Sequence, residues 1–219
     1  MPKPKREMPE PYRIADAVIE KLSKRILNET AKTKRKLTVL EFDELNVMNE
    51  TDRLYAVFAR ECRKALREIY RERYEEIWLW LKEKRPDEDE LDEMLDLYLT
   101  ELWDKPDERS LYAFGPELER KCGRAKDAVR AVPTKTQKQI NFDKASRYLI
   151  QQCSWYCDFA SQDAEWKAMK DAGIQKVKWN IYGDDRVCQT CFERDGKIYP
   201  IDKVPKRPHL RCRCWLSLV

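Results

Sequence analysis

Five potential metal ligands crowd the last 32 residues of the chain, and one of them is its single histidine. Cys188 and Cys191 form a C-x-x-C pair, and a second group follows after a spacer, namely His209, Cys212 and Cys214. Thiolates and imidazoles are the ligands that zinc binds tetrahedrally, and two half-sites separated in sequence can hold one ion between them. The pattern therefore predicts a small C-terminal lobe whose folding is coupled to metal binding.

The number of candidates exceeds the number of places in a tetrahedral site. Five residues are candidates for four positions, and the sequence leaves open which one does not bind the ion. A site closed by four protein ligands has no position for water, so we expect one structural zinc ion per chain rather than a catalytic one. Disulfides or free thiols are the alternative. The histidine inside the cluster favours zinc, as does the expectation that the chain has no secretory leader.

The other four cysteines fit ordinary packing between helices. Cys62 and Cys122 stand alone in helical sequence, whereas Cys153 and Cys157 lie four residues apart on one helix face. Buried cysteines commonly behave as small apolar side chains. We therefore expect no second metal site from these residues.

Alternating side chains predict short strands around the ligand candidates. Residues 175–182 place Val177 and Trp179 on the same apolar face, as in a half-buried strand. A turn at 195–197 then leads into a second strand. A final strand over 210–218 would direct both cysteines of the C-x-C pair inward, because successive side chains in a strand point in opposite directions.

The sequence before this lobe predicts long helices. Charged residues make up 38% of the chain and only five residues are glycine, which favours solvated helices over a large sheet. Apolar spacing predicts helices at about 14–26, 51–84, 87–102, 116–132 and 142–171. The last is aromatic nearly all round, so we expect it to be buried within the domain or against a partner.

Two segments outside these helices are predicted to be irregular. Pro2 to Pro11 is typical of a frayed basic arm, and 133–136 of a linker. The predicted architecture is α+β. A mainly helical body spans 1–144, and a helix followed by a small zinc-stabilised antiparallel β lobe spans 145–219.

Three stretches of the C-terminal third carry a family signature, namely 179–191, 195–197 and 208–214. Together they resemble the C-terminal signature of the phage Mu F-like minor head proteins, also called phage head morphogenesis proteins. That signature has a tryptophan strand, an Asp-x-Arg-x-Cys-x-x-Cys knuckle, a Gly-Lys turn and a Pro-His-Pro-x-Cys-Arg-Cys ending. The resemblance covers about 146–218. Leu210 stands where the family usually has proline, and the family's upstream Arg-Thr-Glu motif is not evident.

The resemblance implies a minor head (capsid) protein, a virion component located in the head at the portal vertex of a tailed phage or prophage. Such proteins pass through the host cytoplasm during assembly. The expected partner is the portal protein, which family members are thought to bind during head assembly, DNA packaging or delivery. The major capsid or scaffolding protein and packaged DNA are further candidate contacts. The resemblance implies no enzymatic activity.

A zinc-ribbon nucleic-acid-binding protein is an alternative, because a basic surface on the lobe would attract phosphates. The basic residues are Lys197, Lys203, Lys206, Arg207, Arg211 and Arg213. Interleaved aromatic residues could stack on bases, although we favour their assignment to the core of the lobe itself. These aromatic residues are Trp179, Tyr182, Tyr199 and Trp215.

A metal-dependent nuclease would use Asp184 and Asp185. The usual proton shuttle near neutral pH is histidine, and the only one available is itself a ligand candidate. A turn whose carboxylates accept backbone hydrogen bonds also explains this pair. No apolar run reaches the roughly 18 residues of a membrane-spanning helix, so we expect no contact with a membrane.

Overall fold

The computed structural model describes residues 8–39, 44–105, 114–131, 135–183, 187–209, 212 and 214–219. The long helices of this part are α1 (Arg13–Val39), α2 (Glu44–Lys82), α3 (Glu88–Asp104), α4 (Phe114–Arg130) and α5 (Lys135–Asp171). A three-stranded antiparallel sheet follows, built from β1 (Lys176–Asn180), β2 (Ile198–Pro200) and β3 (Trp215–Leu218), with the short helix α6 (Gln189–Arg194) between β1 and β2. The predicted α+β architecture, a mainly helical body with a small C-terminal antiparallel sheet, is confirmed.

Helix α5 is the central element of the helical body. It packs against α1, α2 and α4. Its buried side chains point in several directions from its axis and include Leu149, Tyr156 and Phe159. A helix that is apolar on most sides has to be covered on most sides. The predicted burial of this helix is therefore confirmed, and the other helices of the chain provide the cover.

The linker predicted at 133–136 is wrong for its second half, because α5 already begins at Lys135. Lys138 Nζ donates to the carbonyl oxygen of Val129 at 3.2 Å, and Asn141 Nδ2 donates to that of Ala128 at 2.7 Å. Side chains of α5 thus satisfy carbonyls at the C-terminus of α4, which otherwise lack intrahelical partners. The two helices can therefore follow each other closely. Residues 133 and 134 lie outside the described residues.

The apolar stripe predicted for α1 is buried. Helix α2 begins seven residues before its predicted start at residue 51. Val47, in the additional turns, is 1% exposed and belongs to a second apolar cluster with Leu37, Leu54 and Phe142. Long-range packing stabilises these turns in spite of their polar sequence. The helix ends at Lys82, and Glu83 adopts a positive φ of 55°.

Helix α3 confirms the predicted acidic start. The Asp87 carboxylate accepts hydrogen bonds from the backbone N–H groups of Asp89 and Glu90, both at 3.1 Å. This is the N-cap geometry that satisfies the first free donors of a helix. Leu91 and Leu95 then bury the apolar face of the helix against α2 and α4.

The sheet places β1 between β2 and β3. Val177 faces Tyr199 of β2 and Leu218 of β3. The inward side chains Val177 and Trp179 are 0% and 1% exposed, whereas Lys178 between them lies at the surface. The alternation predicted for the first strand is thus confirmed, over a shorter length than 175–182.

The segment that precedes α1 is anchored to the helical body. The Arg73 guanidinium donates to the carbonyl oxygen of Glu10 at 3.0 Å, and Ser161 Oγ donates to that of Pro11 at 3.2 Å. Tyr12 follows directly and is completely buried. The prediction of a frayed arm is therefore wrong for residues 8–11, because neighbouring side chains bind their carbonyl groups. Residues 1–7 lie outside the described residues.

A buried ion pair joins the helical body to the sheet. Arg73 of α2 and Glu165 of α5 are 0% and 1% exposed, and their side chains meet at 2.5 Å. Burial opposes the charge on Arg73, but Glu165 and Glu76 together more than offset this effect and raise the pKa of the guanidinium. The second oxygen of Glu165 accepts the backbone N–H of Leu216 in β3 at 3.1 Å. One carboxylate therefore bridges both parts of the fold. The division at 144/145, which falls within α5, stays a prediction.

In the part of the chain that the structure describes, no helix combines the length and apolar character needed to cross a membrane.

Candidate metal centre

The first half-site lies at the start of α6. Cys188 is the N-cap of this helix, and its Sγ accepts the backbone N–H of Cys191 at 3.4 Å. Cys191 itself is buried inside the first turn. The C-x-x-C spacing therefore lets one turn of helix bring two sulfurs to the same end of α6.

The second half-site has a different backbone from the predicted one. β3 begins only at Trp215, so Cys212 and Cys214 precede the strand instead of lying within it. Both cysteines are nevertheless buried, at 2% and 4% exposure. The reason lies in their carbonyl groups, since Tyr12 Oη donates to that of Cys214 at 2.7 Å and Gln162 Nε2 to that of Cys212 at 2.6 Å. Side chains of the helical body take the place of a neighbouring strand.

The two half-sites converge on Cys191. Its Sγ lies within 4.8 Å of ligand atoms of Cys188 and His209 in one group, and of Cys212 and Cys214 in another. All five ligand candidates predicted from the sequence thus lie in one cluster, and Cys191 belongs to both groups. Of the five, Cys188 and His209 are half-buried, and the other three are buried.

The distances within the cluster fit a bound metal better than a disulfide. The Sγ atoms of Cys191 and Cys212 are 3.4 Å apart, whereas a disulfide would bring them to about 2.05 Å. Zinc–sulfur bonds of about 2.3 Å in a tetrahedron place neighbouring sulfurs about 3.8 Å apart. All eight cysteines are free thiols. The donor set and its spacing could therefore hold a metal ion such as zinc.

The electrostatics of the cluster favour a cation at its centre. Burial opposes ionisation of Cys188, but the backbone N–H and thiol of Cys191, together with His209, lower the pKa of Cys188 below its ordinary value. Hydrogen bonds from the Cys191 and Cys214 thiols lower the pKa of Cys212 strongly. The same hydrogen bond to Cys212 raises the pKa of Cys191. Thiolate charge is therefore favoured on Cys188 and Cys212 and disfavoured on Cys191. A divalent cation among the sulfurs would offset the repulsion between neighbouring thiolates.

The predicted basic surface is present only in part. Lys197, Lys203 and Lys206 are exposed, but Arg207 is only 8% exposed and lies over the ring of Trp179, 6.0 Å from its centroid. The remaining two, Arg211 and Arg213, lie outside the described residues, as do Asp184 and Asp185.

The aromatic side chains of the lobe serve mainly its own core. Trp179 is 1% exposed, with Tyr199 edge-on to it at 6.5 Å. Trp215 is half-buried, and Tyr182, the most exposed of the four, packs against Tyr12. Trp179 cannot stack on a base from this position.

Four polar residues that hold the second half-site and β3 were not predicted from the sequence. Tyr12 and Gln162 bind the second half-site, Glu165 binds β3 and Arg73 pairs with Glu165. One signal was available, since Arg73 falls on the stripe of α2 that contains the buried Ile69 and otherwise carries apolar residues. A charged residue on a buried helical stripe indicates a buried partner of opposite charge.

Comparisons of the chain with protein-family models, with curated proteins and with solved structures give no match.

Proposed function

We propose that the protein is a minor head protein of a tailed phage or prophage, which binds the portal protein at the portal vertex during head assembly, DNA packaging or delivery. The supporting observation is the convergence of the signature. Its two half-sites are separated in sequence by a loop and a strand, yet their five side chains form one cluster around Cys191. This arrangement is expected if the signature encodes a metal-held lobe.

The metal in this proposal is one structural zinc ion per chain. Four protein ligands complete a tetrahedral shell, so the ion would stabilise the lobe and leave no position for a reacting water. The lobe has only three short strands in its described part. A unit this small buries little apolar surface of its own, and a structural metal adds folding free energy.

A rigid connection between lobe and body suits a component of an assembly. Tyr12 and Gln162 bind the backbone of the second half-site, and Glu165 binds that of β3. Movement of the lobe would break buried hydrogen bonds, each of which is costly to leave unmade. On its outer side the lobe exposes Phe192 and Ile198, at 65% and 53%. These apolar side chains are candidates for contact with the portal protein.

Metal content is the first test. Elemental analysis of freshly purified protein should give one zinc per chain for the wild type and for Cys122→Ser, which changes a half-buried cysteine of α4 outside the cluster. Cys191→Ser should lose the metal, because Cys191 is common to both ligand groups. Equal zinc content in both variants would refute the proposed site.

Portal binding is the second test. The tagged chain would be co-expressed with the portal protein of the same phage or prophage, and the captured complex analysed by size-exclusion chromatography. We expect a complex for the wild type and Cys122→Ser, and a weaker one for Cys191→Ser. If the wild type captures no portal protein and instead binds duplex DNA with an affinity that falls steeply with salt, the nucleic-acid-binding alternative replaces the proposal.

A further inference from the structure

Helix α3 presents an acidic face to solvent. Its 17 residues include eight carboxylates and no lysine or arginine. Four exposed residues recur at nearly whole turns of this helix and so form one stripe, namely Asp89, Glu93, Leu97 and Asp104. The buried leucines of α3 lie on its other side and pack against α2 and α4. This acidic stripe therefore points away from the rest of the molecule.

The carboxylates of the acidic stripe have no cation beside them. The ion pairs of α3 lie along its flanks, and in the part of the chain that the structure describes none of them reaches Asp89, Glu93 or Asp104. Asp89 and Glu93 are four residues apart, a spacing at which like charges on a helix repel each other. A positive group from outside the molecule would relieve this repulsion.

The outer face of the sheet carries the opposite charge. Lys176 and Lys178 alternate with the buried side chains of β1 and so point outward together. Ile198 of β2 lies beside Lys178 and is 53% exposed. Neither lysine has an ion-pair partner among the described residues, where the lobe's ion pair is that of Lys170 with Asp202.

The two faces match in spacing as well as in charge. Asp89 and Glu93 are separated by about 6 Å along the axis of α3. Lys176 and Lys178 are separated by about 6.6–6.8 Å along β1. Both faces are exposed in the same molecule, so they do not contact each other within one copy. A second copy can bring them together.

We propose that the acidic stripe of one copy of the chain binds the outer face of the sheet of a second copy. The two carboxylates with matching spacing pair with the two lysines of β1, and Leu97 packs against Ile198 of the neighbouring copy. Because the two faces differ, association continues head to tail into a ring or an open filament. The proposal does not depend on the function proposed above, and Phe192 remains accessible to the portal protein.

The size of the two faces indicates a weak contact. Helix α3 has 17 residues and is about 26 Å long. One face of such a helix covers less area than the roughly 800 Å² per partner of a stable interface. Association should therefore require a high protein concentration. It should also decrease with salt, since the screening length falls to about 3 Å at about 1 M.

Small-angle X-ray scattering of the freshly purified chain measures this association as a mean molecular mass. The concentration series extends to about 1 mM, so that dissociation constants up to this value are detected. At low salt we expect the mass to rise with concentration above the 26.3 kDa of one chain. At about 1 M salt it should return to that value.

Charge exchange between two variants tests the pairing itself. The first variant carries Asp89→Lys with Glu93→Lys, and the second carries Lys176→Glu with Lys178→Glu. Each alone brings like charges together, so its association should weaken at least tenfold. An equimolar mixture should associate again, because the helix of each variant then meets a sheet of opposite charge. This recovery also shows that both variants fold.

Two leucines form a matched pair for the apolar contact. Leu97 of α3 and Leu45 of α2 are 62% and 67% exposed, and only Leu97 belongs to the acidic stripe. Leu97→Asn should weaken association about fivefold, because it removes apolar surface that the contact buries. Leu45→Asn should change it less than about twofold.

The proposal is refuted if the wild type keeps the mass of one chain throughout the series. It is also refuted if either reversed variant associates as well as the wild type, if their mixture does not associate, or if the two leucine substitutions have equal effects. A wild type that stays monomeric and binds duplex DNA, with affinity lost in Lys176→Glu with Lys178→Glu, would assign the outer face of the sheet to nucleic acid instead.

Discussion

Replacement of Arg73 by methionine would leave the Glu165 carboxylate buried without its cation. The two charges are 2.5 Å apart and almost fully shielded from solvent, so their attraction amounts to about 7 kcal/mol at an effective dielectric constant of about 20. Desolvation of each ion costs several kcal/mol, and the pair therefore contributes little net free energy. Loss of Arg73 leaves the desolvation cost of the buried Glu165 carboxylate uncompensated. We therefore expect Arg73→Met to lower the free energy of unfolding by about 3–5 kcal/mol.

A second substitution should relieve part of this loss. Glu165→Gln removes the charge but keeps an oxygen that can accept the N–H of Leu216. In the single variant, Arg73 still pairs with Glu76 at 2.7 Å, so we expect a loss of only about 1–3 kcal/mol. The double variant Arg73→Met with Glu165→Gln should be more stable than Arg73→Met alone, because the remaining amide is neutral.

Urea denaturation followed by circular dichroism at equilibrium measures these differences. Arg25→Met is the matched control, since Arg25 pairs with Glu61 at 2.7 Å but its own side chain is 69% exposed. Exposed ion pairs contribute about 0–1 kcal/mol. If Arg73→Met costs no more than Arg25→Met, or if the effects of the two substitutions simply add in the double variant, the Glu165 carboxylate is not stranded by the loss of Arg73.

Three further substitutions test other parts of the structure. Tyr12→Phe should lower the free energy of unfolding by about 1–3 kcal/mol, because it strands a buried carbonyl, and should speed zinc release to a colorimetric chelator; unchanged release would contradict the link to the second half-site. Burial raises the pKa of Glu61, but hydrogen bonds from two arginines bring it below its ordinary value. Its stabilisation is therefore present above the unfolded carboxyl pKa of about 4.3 and is lost as pH falls through the lower folded value. The stability advantage of wild type over Glu61→Gln should vanish in acid, and a pH-independent difference would exclude this explanation. Asp87→Ala should cost about 1 kcal/mol through loss of the α3 N-cap, whereas Asp89→Ala, measured in the same urea titration, should cost less.

The helices could be predicted from the sequence where a local period determines them. The stripes of α1 and α3 repeat at helical spacing, and Asp87 is a strong N-cap residue, so the burial of both helices and the start of α3 followed. The stripe predicted α1 only for 14–26, whereas the helix continues to Val39. The early start of α2 could not be predicted in this way. Val47 is helical because of contacts with residues of α1 and α5 that are distant in the chain.

The ligand candidates were predictable because their residue types and spacing carry the chemistry. Cys188, Cys191 and His209 need no knowledge of the rest of the fold to be recognised. The backbone that presents Cys212 and Cys214 was predicted wrongly as a continuous strand. Alternation indicates which side chains are buried, but it cannot reveal that side chains of the helical body bind these two carbonyl groups.

The hydrogen bond between Tyr12 and Cys214 joins residues 202 positions apart in sequence. During translation, Tyr12 leaves the ribosome long before its acceptor is synthesised, and Gln162 is likewise synthesised before Cys212, whose carbonyl it binds. We therefore expect nascent helices to remain a loosely closed intermediate, accessible to chaperones and proteases, until the last strand emerges. A premature stop codon ahead of Cys214 would yield a chain that lacks this contact, and we expect such a chain to be degraded. The closing contact would thus act as proofreading, because only chains synthesised through Cys214 could make it.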